Sequence, residues 1–175
     1  MTEGQKEMLK ALERKFYPFL EAKGFQKDFD PDSGNRGIFP FFKRNGNTNY
    51  FLAIHFDRHR EAFVLEVAEA TVGASVKIGG NSVQVTRFNH VIRLRARLQA
   101  GKGMLSWFRY HRRFSGNTTY DKTADKVIAL FGEVEEWWLN KTFGPHLRNE
   151  DAKREHPALL PMLRRLKNKI KKQLL

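Results

Sequence analysis

Between residues 38 and 70 the apolar side chains fall into three short runs that alternate inward and outward, and this constrains the fold more than any other feature. Tyr50, Leu52, Ile54 and Phe56 share one face of an extended chain, as do Phe63, Leu65 and Val67. The runs Ile38 to Arg44, Tyr50 to Phe56 and Ala62 to Ala70 are separated by NGNTN and DRHRE, both rich in turn formers or charge. Such spacing predicts a meander of antiparallel strands. A sheet with one apolar face needs something to cover it, and the segments on either side supply two helices.

Leu9, Leu12, Phe16 and Leu20 recur at helical spacing, with Met8 and Phe19 widening the stripe, so a helix is expected from about Glu3 to Ala22. Gly24 is placed to end it, and Pro18 is expected to kink its last turn. Val127, Phe131, Val134 and Trp138 define a second helix over about Thr123 to Lys141, widened by Ile128 and Trp137. Asp121 or Thr123 is the expected cap, and Gly144 and Pro145 end the helix. Strands grouped between helices predict an α+β fold, with an antiparallel sheet of about five strands and two long helices packed on one face.

Residues Thr71 to His90 read as a loop with a short hairpin around GGN. The stretch VIRLRARL alternates strictly, with Ile92, Leu94, Ala96 and Leu98 inward and Arg93, Arg95 and Arg97 outward. SWFRYHRRF follows after the short loop QAGKG, which suits a hairpin between the two. As a helix it would gather Trp107, Tyr110, His111 and Phe114 on one side and Arg109, Arg112 and Arg113 on the other; as a strand, which the short loop favours, it sets Phe108, Tyr110 and Phe114 on one face and Trp107, Arg109, His111 and Arg113 on the other. The domain is expected over residues 1–144. Residues 145–175 form a basic C-terminal extension, read as a docked helix with Leu163, Leu166, Ile170 and Leu174 on one side.

The element order, with YPFLEAKGFQK, FLAIHFDRHREAFVLEV and RLRARL leading to WFRY, resembles the bacterial family catalogued as domain of unknown function 4304. Pro18, Gly24, Phe25, Arg93, Trp107 and Phe108 are the matching positions, and the resemblance covers about residues 7 to 140. It implies an α+β fold and supplies no reaction, cofactor or catalytic residue.

Charge points to a partner. The chain has 175 residues, a net charge of +13 and no cysteine, so thiolate chemistry, disulfides and cysteine metal sites are excluded. No acidic residue occurs from Thr71 to Tyr120 or from Ala158 to Leu175, and these two segments hold the entire positive surplus. The start is too polar for a signal peptide and no apolar run could span a bilayer, so a cytoplasmic protein is expected.

The expected function is a non-enzymatic binding module for a polyanion, RNA or DNA, with weak sequence specificity and no cofactor. Its candidate residues are Arg93, Arg95, Arg97, Trp107, Arg109 and Arg113 on the sheet, and Arg164, Arg165, Lys167, Lys169, Lys171 and Lys172 in the tail. Guanidinium groups offer bidentate contacts to phosphate, and Trp107 offers a stacking surface. Arginines facing each other across two strands need a compensating charge, which an anionic ligand, Glu66 or the glutamates of the second helix could provide. The alternative is an immunity or regulatory module that binds an acidic protein surface. A metal-dependent enzyme is the third reading: in HFDRH, His55, Asp57 and His59 point to one side of a strand, with no third and fourth ligand sites evident beyond them. His90, His111, His146 and His156 are scattered, and VGASVKIGGNS lacks the lysine and hydroxyl of a phosphate-cradling loop.

Overall fold

The first helix carries the apolar stripe and is closed at both ends by a side-chain cap and a backbone turn. In a computed structural model describing residues 1–28, 37–78, 81–86, 95–101, 106–110 and 118–149, α1 spans Glu3–Ala22. Thr2 accepts from the Gln5 amide while the Gln5 side chain accepts from the Thr2 amide, a reciprocal cap for two otherwise unpaired donors. The helix runs continuously through Pro18, which is exposed. It ends where Gly24 adopts φ +83°, letting the Phe25 amide reach back to the Leu20 carbonyl.

The strands follow in the order β1 (Gln26–Lys27), β2 (Ile38–Asn45), β3 (Thr48–Phe56), β4 (Ala62–Thr71), β5 (Ser75–Ile78), β6 (Asn81–Gln84), β7 (Arg95–Leu98) and β8 (Phe108–Arg109). Helix α2 (Thr118–Asn140) and a last strand, β9 (Leu147–Asn149), complete the described chain. The main sheet has seven strands, ordered β1-β2-β3-β4-β7-β9, with β8 also on β4; β5 and β6 form a separate two-stranded sheet, the expected hairpin. Every described pairing is antiparallel.

Both helices lie against the face that carries Leu52, Ile54, Phe56, Phe63, Leu65 and Val67, together with Ala96, Leu98, Phe108 and Leu147. Phe131 of α2 sits at the centre of an aromatic cluster, edge-on to Phe16, Phe19, Phe25 and Trp138. Arg14 pairs with Asp121, and Lys15 with Asp125 at 2.7 Å, tying α1 to α2 along their exposed seam.

Besides its seven strands, the structure differs from the sequence expectation in further ways. Helix α2 begins at Thr118, five residues early, so Thr123 is interior and its hydroxyl donates to the Thr119 carbonyl instead of capping. The described parts of RLRARL and SWFRY, residues 95–98 and 106–110, do not form a hairpin. Strand β7 pairs with Leu65–Ala68 and β8 with Ala62–Phe63, so both lie end to end along the same side of β4. Residues 147–149, assigned to the C-terminal extension, instead add strand β9 to the far side of β7; residues 150–175 lie outside the described residues.

Finally, part of the sheet's second face is buried as well. Phe51, Ala53, Val64 and Ala68 point away from the helices and are fully buried, with Val85 from beyond β6 in the same cluster. Near-continuous apolar runs such as FLAI and AFVL suit a sheet covered on both sides.

Candidate nucleic-acid interface

Across the outer face, register places Ala53, Glu66, Arg97 and Arg148 in one row spanning β3, β4, β7 and β9. Glu66 is the one carboxylate on this face among the described strand residues, and it is consumed locally. Its Oε1 accepts from the Arg97 guanidinium at 2.7 Å and lies 3.6 Å from His55 Nδ1. The second distance exceeds a hydrogen bond, so Arg97 anchors the carboxylate and His55 lies beside it as a polar neighbour. Burial alone would raise the Glu66 carboxyl, but His55 and Arg97 outweigh it and hold the group down at about 2.

Trp107 closes this cluster. The Arg97 guanidinium lies 5.9 Å from its ring centroid, and the His55 ring 6.1 Å away. Arg97 is therefore enclosed between a carboxylate and an indole, with its side chain 19% exposed. Among the described residues, the carboxylate that compensates Arg97 is Glu66. The glutamates of α2 take no part in it: Glu133 holds His146, whose Nδ1 lies 2.5 Å from Oε1, Glu135 pairs with Lys23, and Glu136 accepts from Asn140.

Arg109, opposite Ala62, is exposed on the outer face, and Arg148 is half-buried beside Arg97. The turn between β3 and β4 adds Arg58, His59 and Arg60, all exposed, close to β8 because the Tyr110 amide donates to the Glu61 carbonyl. Sequence reasoning missed Arg58, Arg60 and Arg148 as partners of this surface. The basic density of DRHRE could have pointed to the first two; nothing local marks Arg148, which reaches the face only because β9 joins the sheet.

The stretch that carries Tyr110 separates as expected of a strand. Phe108 and Tyr110 enter the core, Tyr110 against Phe56, Phe63 and Tyr120, while Arg109 stays outside. Burial pushes the Tyr110 phenol well above its usual range. Register sets Arg95 opposite Ala68. Arg93, Arg113, Arg164, Arg165, Lys167, Lys169, Lys171 and Lys172 lie outside the described residues.

The HFDRH residues do not converge. His55 faces Glu66, Asp57 accepts from the His59 amide at 2.8 Å within its own turn, and His59 is exposed. Among the described residues no three carboxylate or imidazole side chains gather at one point, and no helix is long and apolar enough to cross a membrane. No family model, curated protein or solved structure matches this chain.

Proposed function

We propose that this chain is a non-enzymatic binding module for RNA or DNA that grips phosphates along the β7, β8 and β9 side of its outer sheet face. One observation carries the reading: Arg109, Arg148 and the turn arginines Arg58 and Arg60 flank a face whose single described strand carboxylate is already bound to Arg97. In this reading Arg97 and Trp107 are scaffold, while Arg109 and Arg148 supply the phosphate contacts. Contacts of this kind fix position without reading base edges, so sequence specificity is weak.

The test is fluorescence anisotropy with labelled single-stranded RNA and duplex DNA over a salt series, comparing the wild type with Arg109→Glu/Arg148→Glu. Submicromolar binding at low salt is expected, falling steeply as salt rises. The variant should lose affinity by at least about tenfold and show a salt slope smaller by roughly 2, one for each lost phosphate contact. A folded wild type that binds neither probe at low salt refutes the reading and favours an acidic protein partner.

A further inference from the structure

A cleft of about 970 Å³ opens where the start of α1 meets the end of β3, with Gln5, Gly37, Ile38, His55, Phe56 and Arg58 among its walls. Its size lies at the upper end of the range for small-molecule sites, about 300–1,000 Å³. Neither Arg109 nor Arg148 lines it.

The polar groups around it divide into spent and free. The Gln5 side-chain amide donates to the Asp57 carbonyl at 2.8 Å, and its oxygen closes the cap with Thr2. Asp57 is occupied by its own turn, accepting from the His59 amide. Arg58 is exposed and makes no ion pair among the described residues. His55 has a carboxylate behind it: Glu66, itself fixed by Arg97, faces its Nδ1 side. No carboxylate is among the described residues that line the cleft, while Ile38 and Phe56 give it apolar wall.

From this arrangement we infer that the cleft is a binding site for a small phosphomonoester with an apolar body. Arg58 takes the phosphate as a two-pronged donor and His55 adds a directional hydrogen bond, while Ile38 and Phe56 pack the body. A guanidinium fork with an imidazole N–H beside it matches the three oxygens of a phosphate better than the two of a monocarboxylate. The concave, partly apolar shape selects a compact ligand, in contrast to the open arginine edge. The cleft shares Arg58 with the nucleic-acid reading but is lined by neither Arg109 nor Arg148, so the two can be tested apart.

Amide-detected NMR titration of the full chain tests it with three probes: phenyl phosphate, inorganic phosphate and benzoate. Phenyl phosphate should give saturable shifts at the Gly37, Ile38 and Phe56 amides, with inorganic phosphate and benzoate each weaker. Arg58→Ala, at an exposed turn position, should keep the wild-type melting temperature and weaken phenyl phosphate by about tenfold or more, the scale of one lost charge-assisted contact. Arg109→Glu/Arg148→Glu should leave phenyl phosphate binding unchanged, which separates this site from the sheet edge. Absence of saturable shifts at those three amides in the folded protein overturns the proposal, as does phenyl phosphate binding that survives Arg58→Ala.

Discussion

Replacing Glu66 by Gln removes the charge from the centre of the outer-face cluster while keeping its shape, and the cost can be worked from the pKa. The carboxyl falls from an ordinary value of 4.5 to about 2 in the folded protein. At about 1.4 kcal/mol for each tenfold change in proton affinity, ionised Glu66 contributes about 3 kcal/mol. The side chain is 18% exposed, so solvent screening removes little of this. Because the folded pKa is depressed, the folded state holds fewer protons than the unfolded chain between the two values. The contribution is therefore complete above about pH 5 and is lost as pH falls through the folded value near 2.

Urea unfolding followed by far-UV circular dichroism, at several pH values from 7 to 2, reads this directly. Glu66→Gln should be about 3 kcal/mol less stable than the wild type at pH 7 and within about 1 kcal/mol of it at pH 2. Arg97→Met should be worse than the double variant Glu66→Gln/Arg97→Met, because the single change leaves a carboxylate buried without its main partner. Parallel loss of stability in wild type and Glu66→Gln between pH 5 and pH 2 would refute the reasoning, since it would mean that Glu66 has no special share in the acid response.

Phe131→Ala should cost about 3–5 kcal/mol, because it empties the centre of a ring cluster contributed by both helices; thermal melts of the purified variant will show it. Gly144→Ala should cost about 1–3 kcal/mol, since the new methyl would collide with the Glu133 carboxylate that holds the His146 backbone and ring. That loss should appear first as faster amide exchange in Leu147–Asn149, the strand this carboxylate secures against β7.

Local periodicity made much of the fold legible. The apolar stripe from Met8 to Leu20 marked the body of α1, and alternation in Tyr50–Phe56 and Phe63–Val67 marked the core face of β3 and β4. These signals survive in one dimension because helix and strand periods are properties of a few consecutive residues. The start of α2 was less legible, since Thr118, Thr119, Asp121 and Lys122 are polar and the apolar stripe only becomes regular further on.

The candidate site divides along the same line. Alternation determined that Arg97 and Arg109 would face away from the core and Leu98 and Phe108 toward it. Which strands become neighbours was decided only in three dimensions. An arginine strand looks the same whether it pairs with SWFRY or with FVLEVA, because its two-residue period carries no information about its partner. The tertiary structure put Arg97 beside Glu66, 31 residues earlier, and beside Arg148, brought in by β9. That choice neutralised the central arginine and left charge exposed at the edge. The physical reason is that inward or outward facing is set by the local chain, whereas charge compensation depends on contacts between residues far apart in sequence.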